Sequence, residues 1–291
     1  MLSQILELPD KRQLGYATEG EGKPIIYFHG TASSRLEIHL LKEFAYANKF
    51  QLIGIDRPGY GLSTFKRKIG MCDFAEDVKV LTDYLKLNSL AILSWSGGGP
   101  FALTFGALFP EAVTRIVAVG SPALPFDSSE AHNGNMFVQF AMKNRHLALW
   151  GLKYYRKSIL QANKDIDGYL KSRRGKNMVA DWPEPDRKFF SDADWLKRMY
   201  VAMAEGFRQK SSAETIFQEH QLFLKSFSES IWQIPAGKLV LWQGAQDKTC
   251  PISNVQKIAR TIKGSRVELF SDEGHCVLFN HLDKLSNEFV V

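Results

Sequence analysis

Short apolar runs alternate with amphipathic stretches over the first 120 residues of the chain. Compact apolar runs predict buried strands at residues 24–28, 51–55, 90–93 and 115–119. Apolar side chains at helical spacing predict the intervening helices at residues 35–48, 74–85 and 101–109. Two earlier strands are predicted at residues 4–8 and 13–18. Because strands and helices alternate, we expect a parallel sheet that is covered on both faces.

The alternation stops at residues 121–125 and returns near residue 238. No convincing strand falls within residues 126–230, whereas strands are predicted at 238–243 and 266–270, with a helix at 253–262 capped by Ser253. The predicted fold is therefore α/β, with a mostly parallel, eight-stranded twisted sheet flanked by helices. The predicted domains are a core of residues 1–125 and 231–291 and a helical cap of residues 126–230.

The predicted cap is rich in large aromatic residues, and its basic residues gather between Lys143 and Lys176. We expect some of the aromatic side chains to pack the helices and others to line a substrate cavity. The candidates are Trp150, Tyr154, Tyr155, Trp182, Trp195, Phe217, Phe223 and Phe227. The segment Asp165-x-Asp167-Gly168 matches the start of a calcium loop, but Lys176 stands where that loop requires glutamate, so we reject a calcium site.

Composition and charge exclude several classes of protein. The 291 residues are 45% hydrophobic and 23% charged, with a net charge of +6. The basic residues are interleaved with acidic ones, so no nucleic-acid groove is expected. The three cysteines form no C-x-x-C pair, which argues against a disulfide framework or zinc site. No signal peptide or membrane-spanning run is recognised. We expect a cytoplasmic protein without a metal or organic cofactor.

The most informative motif follows the predicted strand at residues 90–93. A sharp turn of small residues, Ser94-Trp95-Ser96-Gly97-Gly98-Gly99, leads directly into a helix. Such a strand–turn–helix holds a serine at its apex in a strained conformation, with its hydroxyl projecting above the sheet. Ser96 is therefore the candidate nucleophile.

A dinucleotide site is the alternative interpretation of the same turn, because Gly97-x-Gly99-x-x-Ala102 fits G-x-G-x-x-G/A. That site needs an acidic residue at the end of the following strand. The following strand ends in Gly120-Ser121 instead, which disfavours the nucleotide interpretation.

Loops at the carboxyl ends of parallel strands converge on one crevice, which would bring Ser96, Asp247 and His275 together. An imidazole can take the serine proton, and a carboxylate on its other nitrogen fixes the tautomer. Asp127, which follows the preceding strand, is a competing source of the carboxylate. His29 is expected to bond locally, as is Asp56, and the remaining histidines have no motif context.

The order Ser…Asp…His belongs to the predicted fold, and the chain resembles the α/β-hydrolase superfamily over nearly its whole length. The matching motifs are YFHG at residues 27–30, DRPGYGLS at 56–63, SWSGGGP at 94–100, GAQD at 244–247 and GH at 274–275. One departure is Ser94, where the turn usually begins with glycine. Ser94 is small enough for the turn, but it is a poor nucleophile candidate because Ser96 occupies its +2 position.

The resemblance implies that the backbone amides of Thr31 and Gly97 form an oxyanion hole. We also expect Trp95, Ala32, Pro122 and Cys276 to contact the substrate, although Cys276 is equally suited to packing. A serine nucleophile argues against haloalkane dehalogenase or epoxide hydrolase chemistry, since those relatives of the fold use aspartate at this position.

These features predict a serine hydrolase that cleaves small to medium carboxylic esters with an apolar group. Amide or N-terminal proline cleavage, lactone opening and C–C bond hydrolysis use related chemistry and stay open. A ligand receptor that keeps the fold is an alternative from another class. The expected partner is a small molecule, with no nucleic acid and no membrane span, and both monomer and homodimer are compatible with the sequence.

Overall fold

A computed structural model describes residues 2–68, 70–127, 143–180, 182–227, 231 and 233–289. Within this part of the chain, eight strands form one sheet in the order β1-β2-β4-β3-β5-β6-β7-β8. The strands are β1 (Leu2–Glu7), β2 (Gln13–Glu19), β3 (Lys23–Phe28), β4 (Phe50–Ile55), β5 (Leu90–Trp95), β6 (Val113–Val119), β7 (Leu239–Gly244) and β8 (Arg266–Phe270). The pairs β1–β2 and β2–β4 are antiparallel, and all others are parallel. The predicted fold class is confirmed.

Helices cover both faces of this sheet. One face carries α2 (Met71–Tyr84), α3 (Gly99–Leu108) and α10 (Ile252–Thr261), and the other carries α1 (Lys42–Asn48), α11 (Val277–Asn280) and α12 (Leu282–Leu285). Successive side chains of the central strands point to opposite faces. In β3, Ile26 and Phe28 join the first cluster, and Ile25 and Tyr27 join the second. The central strands are therefore buried on both sides, as their continuous apolar runs predict, whereas the edge strands β1 and β8 are largely exposed.

Two predicted helices differ in detail. The segment at 35–48 is a 3₁₀ helix, Arg35–Leu41, followed by α1. Its first turn is tied to the end of β4, because the Arg35 amide donates to Asp56 Oδ1 at 2.7 Å. The prediction of Ser253 as a helix cap was wrong: α10 begins one residue earlier, with Pro251 in the cap position.

The described residues between 143 and 227 are mainly helical, and we call residues 143–227 the insertion. Its helices are α4 (Arg145–Ala162), α5 (Ile166–Lys171), α6 (Arg173–Ala180), α7 (Glu184–Ser191), α8 (Ala193–Gly206) and α9 (Ser212–Phe223). The Asp165 motif is a helix cap, since its carboxylate accepts from the Gly168 amide at 2.9 Å. No helix among the described residues has the length and apolar character needed to cross a membrane.

Candidate active site

Ser96 occupies the sharp turn between β5 and α3. Its φ of 53° lies in the left-handed region, which non-glycine residues rarely adopt, so the turn is strained. A Cβ at Gly98 would lie 2.1 Å from the carbonyl oxygen of Phe28, so only glycine fits there. Ser94 lies within β5 and is fully buried. The turn therefore presents Ser96, not Ser94, at the edge of the sheet.

The structure brings Ser96, Asp247 and His275 together at the carboxyl edge of the sheet. The Nε2 atom of His275 lies 2.9 Å from Ser96 Oγ, and its Nδ1 atom lies 2.8 Å from Asp247 Oδ2. The other oxygen of Asp247 accepts from the amides of Thr249 and Cys250 at 2.8 and 2.9 Å. Asp247, not the competing Asp127, is thus the carboxylate in contact with the imidazole, and its orientation is fixed by its own loop.

Opposing effects act on the protonation of His275. Burial disfavours the charged imidazolium, but nearby carboxylates, Asp247 first among them, favour it more strongly, and the pKa of His275 is raised. The site is tightly built around this pair. A Cβ at Gly120, where φ is +54°, would lie 3.2 Å from Nδ1 of His275 and 3.3 Å from Oδ2 of Asp247. Gly120 follows β6 directly, and because it lacks a side chain it leaves room for the pair.

Thr31 and Gly97 lie next to each other, as the expected oxyanion donors must. A Cβ built on Gly97 would lie 3.2 Å from the Thr31 amide nitrogen and 2.1 Å from Thr31 Oγ1. The Thr31 hydroxyl donates to Glu219 Oε1, on α9 of the insertion, at 2.6 Å. The preceding amide, of Gly30, donates to Glu37 Oε1 at 2.9 Å. The loop after β3 is therefore held by carboxylates on two sides.

Arg57 is a buried cation that the sequence reasoning did not single out. Its guanidinium bonds Glu219 Oε2 at 2.7 Å, the carbonyl of Gly30 at 3.1 Å and the carbonyl of His29. Only 2% of Arg57 is exposed. The sequence feature that could have identified Arg57 is its position in the DRPG motif, shortly after an apolar strand. Arg57 links the loops after β3 and β4 to the insertion.

Glu37 is a second buried charged residue beside the site. Its Oε1 accepts from the Tyr27 hydroxyl at 2.7 Å, whereas Oε2 is buried with no hydrogen-bond partner among the described residues. Burial raises the pKa of Glu37, and the hydrogen bonds from the Gly30 amide and the Tyr27 hydroxyl oppose that rise. Within the described part of the chain no lysine, arginine or histidine forms a salt bridge with this carboxyl group, although the charge of Arg57 also lowers its pKa.

A cavity of about 430 Å³ opens beside Ser96 and His275. The core contributes Gly30, Thr31, Ser33, Glu37, Trp95, Ser96, Thr249 and His275 to its wall. The insertion contributes Tyr155, Ser158, Ile159, Tyr169, Trp182, Phe190, Leu196, Met199, Tyr200 and Met203. No lysine or arginine lies among these lining residues of the described chain. The volume suits a small to medium ligand, and the wall is mainly apolar and aromatic.

Of the four residues expected to contact a substrate, only Trp95 lines this cavity. Cys276 is completely buried in the core below the site, and its amide donates to Asp186. Ala32 packs against the buried cluster that includes Tyr60. Pro122 is buried in a loop that turns toward α10, where the Ala123 amide donates to Asn254. Proximity in sequence to the site does not fix which way a side chain points, and these three residues lie outside the cavity wall.

The remaining polar residues behave as local anchors. His29 is fully buried, and its Nδ1 atom lies 2.8 Å from the Gly30 carbonyl oxygen. Asp56 accepts from the amides of Arg35 and Leu62, so it ties its loop as expected. His39 contacts Glu19, and His281 contacts Glu273. His132 lies outside the described residues.

Comparisons with known proteins agree with this architecture. A family model described as the alpha/beta hydrolase fold matches residues 23–282. A 2-hydroxy-6-oxononadienedioate/2-hydroxy-6-oxononatrienedioate hydrolase of Pseudomonas putida is 26% identical over 276 residues, which cover 91% of this chain and 86% of that protein. The uncharacterized hydrolase YcgS of Bacillus subtilis is 29% identical over 111 residues, so the match spans only 37% of either protein.

Solved structures extend the likeness to the whole chain. A thermophilic esterase from Thermogutta terrifontis superposes with a TM-score of 0.67 at 17% identity, covering 99% of this chain and 97% of the esterase. A meta-cleavage product hydrolase from Pseudomonas fluorescens IP01 gives 0.64 at 18% identity, covering 98% and 94%. At this identity the superpositions establish the fold alone. The family match is what shows that the chain belongs to the alpha/beta hydrolase fold family.

Proposed function

We propose that the protein is a serine hydrolase that cleaves small to medium carboxylic esters through an acyl intermediate on Ser96. The observation that carries this proposal is the continuous contact from Ser96 Oγ to His275 Nε2 and from His275 Nδ1 to Asp247, at 2.9 and 2.8 Å. A serine hydroxyl is a weak nucleophile at neutral pH, and a base within hydrogen-bond reach activates it.

In the proposed reaction, Ser96 Oγ attacks the ester carbonyl while His275 Nε2 takes its proton. Asp247 holds the proton on Nδ1 and stabilises the resulting imidazolium. The amides of Thr31 and Gly97 would donate to the developing oxyanion. Collapse of the tetrahedral intermediate breaks the bond to the alcohol, which receives the proton from His275. Water, deprotonated by the same imidazole, then attacks the acyl group; the bond to Ser96 Oγ breaks, His275 returns the proton to Ser96, and the acid is released.

The cavity favours a neutral ester with an apolar group. Its wall is mostly apolar, no Lys or Arg is found among its described lining residues, and Glu37 lies beside it. A substrate carboxylate would lose water there without gaining a cation, which is costly. This argues against a dicarboxylate of the kind named for the Pseudomonas putida relative. An ester with an apolar acyl chain meets no such penalty.

Replacing the candidate nucleophile tests the proposal. Ser96→Ala should abolish turnover of p-nitrophenyl butyrate and labelling by a fluorophosphonate probe. Ser94→Ala is the matched control, since the Ser94 hydroxyl is buried in β5 without a hydrogen-bond partner in the described chain, and it should retain both activities. Labelling or full turnover by the Ser96→Ala variant would refute the assignment.

The substrate class is tested separately on the active wild type. p-Nitrophenyl butyrate should be cleaved with a higher kcat/KM than the mono-p-nitrophenyl ester of glutaric acid, which has a similar length but carries a carboxylate. A panel of lactones, aminoacyl amides and a vinylogous C–C substrate completes the comparison. Preference for the charged ester, or for the C–C substrate, would contradict the proposed substrate class while leaving the serine chemistry intact.

A further inference from the structure

We propose that Asp186, a carboxylate of the insertion, is a positioning residue for His275. It fixes the backbone of the loop that carries the imidazole and so holds the imidazole in line with Ser96. The inference rests on the proposed function, because it treats His275 as the base. It assigns to the insertion a part in the proton transfer, in addition to its part in the cavity wall.

The contact is direct and made by both oxygens of the carboxylate. The amide of His275 donates to Asp186 Oδ2 at 3.0 Å, and the amide of Cys276 donates to Oδ1 at 2.7 Å. Asp186 lies on α7 and is fully buried. Two consecutive amides bound by one carboxylate define the orientation of the peptide between them, and such charge-assisted bonds are stronger than neutral ones. The backbone of His275 is thereby tied to an element 89 residues away.

The core holds the other side of the same residue. The indole Nε1 of Trp95 donates to the His275 carbonyl at 2.9 Å. The peptide N–H of His275 thus points to the insertion, and its C=O points to the turn that carries Ser96. Clamping the backbone from both sides leaves the imidazole little freedom other than rotation of its own side chain, which Asp247 restrains.

The surroundings of Asp186 indicate that it is built for this contact. Among the described residues, no lysine, arginine or histidine side chain forms a salt bridge with it. A buried carboxylate without a paired cation is costly, and amide donors are what compensate the charge here. Burial raises the pKa of Asp186, and the hydrogen bonds from Cys276 and His275 oppose that rise.

Gly274 supplies the complementary feature on the loop. A Cβ at this position would lie 2.2 Å from Asp186 Oδ2 and 2.5 Å from its Cγ. Only a residue without a side chain lets the carboxylate approach the two amides this closely. The glycine of the Gly274-His275 motif is therefore explained by a group on the insertion, which the motif itself does not reveal.

Three carboxyl groups act on the imidazole: Asp247 after β7, Asp186 on α7 and Glu37 on the 3₁₀ helix after β3. All three favour the imidazolium against the opposing effect of burial, so neutralising Asp186 should lower the pKa of His275. His275 must be neutral to accept the serine proton. The rise of kcat/KM with increasing pH should therefore move to lower pH when this charge is removed.

Asp186→Asn is the first test, with p-nitrophenyl butyrate as substrate. Asparagine lacks the charge and can accept from only one of the two amides. We expect kcat to fall about 10- to 100-fold, the scale of a small misplacement of a catalytic group, with KM little changed and the acid limb at lower pH. Glu184→Gln removes a charge from an exposed position on the same helix and should leave the kinetics and pH profile unchanged.

Gly274→Ala tests the contact from the opposite side, whether or not the Asp186 variant folds well. Alone, it should lower kcat because its methyl group displaces the carboxylate. In an Asp186→Ala background the obstacle is gone, so Asp186→Ala/Gly274→Ala should be no slower than Asp186→Ala. Losses that multiply in the double variant would contradict the inference.

A wild-type kcat and pH profile for Asp186→Asn, at unchanged Tm, would overturn the inference even if Ser96→Ala is inactive. Loss of Tm alone, without a shift of the acid limb, would likewise overturn it, since that is the result of a purely structural role. Full activity of Ser96→Ala is a different result, which would remove the proposed function itself.

Discussion

The sheet and the insertion contribute to the site in different ways. The sheet presents Ser96, Asp247 and His275 from loops that follow β5, β7 and β8. The insertion presents more than half of the cavity's lining residues, and through Asp186 and Glu219 it bonds back to the loops of the core. In our proposal the sheet positions the reacting groups, and the insertion selects the substrate and holds two of the loops in place.

The two regions also differ in how they are packed. The strands β5 and β7 are buried at every position. The insertion helix α4, in contrast, buries only Ala148, Ile159 and Ala162 of its 18 residues, and α5 buries none. Elements with few buried contacts open locally at a lower free energy than a core sheet. We therefore expect changes in the core to abolish chemistry and changes in the insertion to modulate it.

The largest expected effect comes from the carboxylate of the sheet. Asp247→Asn should lower kcat about 10⁴-fold for p-nitrophenyl butyrate, because the amide cannot hold the imidazole in the tautomer that accepts the serine proton. Steady-state kinetics with circular dichroism as a check on folding would measure this.

The rival carboxylate serves as the control. Asp127→Asn should leave kcat within about twofold of wild type, as expected of a group without a direct role in the chemistry. If the two variants exchanged phenotypes, the contact between Asp247 and His275 would not be the functional one. The proposal that the loops after the strands position the reacting groups would then be contradicted for the carboxylate.

An intermediate effect is expected where Glu219 of the insertion bonds Arg57 and Thr31 of the core. Glu219→Ala removes the partner of a buried arginine and the acceptor of the Thr31 hydroxyl. Leaving Arg57 uncompensated should lower the free energy of unfolding by about 3–5 kcal/mol. We also expect a lower kcat, since the loop that carries the Thr31 amide loses its anchor. Urea denaturation and ester kinetics on the same preparation would measure both.

A matched variant on the same helix separates this effect from a general loss of charge. Glu214 pairs with Arg145 near the surface, with side chains 20% and 47% exposed. Glu214→Ala should cost about 0–1 kcal/mol and leave kcat unchanged. Equal losses from the two variants would mean that the buried pair is not special, and that the insertion does not support the loop after β3.

The sequence predicts the sheet better than the insertion for physical reasons. A strand buried on both faces is a continuous apolar run, and the turn at Ser96 needs small residues at fixed offsets, so both leave a local pattern. The contact between Asp186 and His275 leaves none, because α7 reaches the loop only through the tertiary packing of the helices. The positions of Ala32, Pro122 and Cys276 outside the cavity wall have a similar cause, since side-chain direction depends on backbone conformation that no local pattern encodes.

The smallest effect should come from the cavity wall of the insertion, and it should appear in selectivity. Met199 lies on α8, is 5% exposed and lines the cavity. Met199→Ala enlarges the space for the acyl chain, so the ratio of kcat/KM for hexanoate to acetate esters should rise about 10-fold, the scale of a methylene or two in an apolar pocket. Met199→Leu conserves volume and should leave the ratio near that of wild type.

Val201→Ala, at an exposed site on the same helix, controls for effects on α8 itself. An unchanged ratio in Met199→Ala, at wild-type kcat for the acetate ester, would mean that the acyl chain does not lie against the insertion. Substrate selectivity would then have to come from the core loops. The proposal that the insertion selects the substrate would be contradicted, while the proposed chemistry of Ser96 would be unaffected.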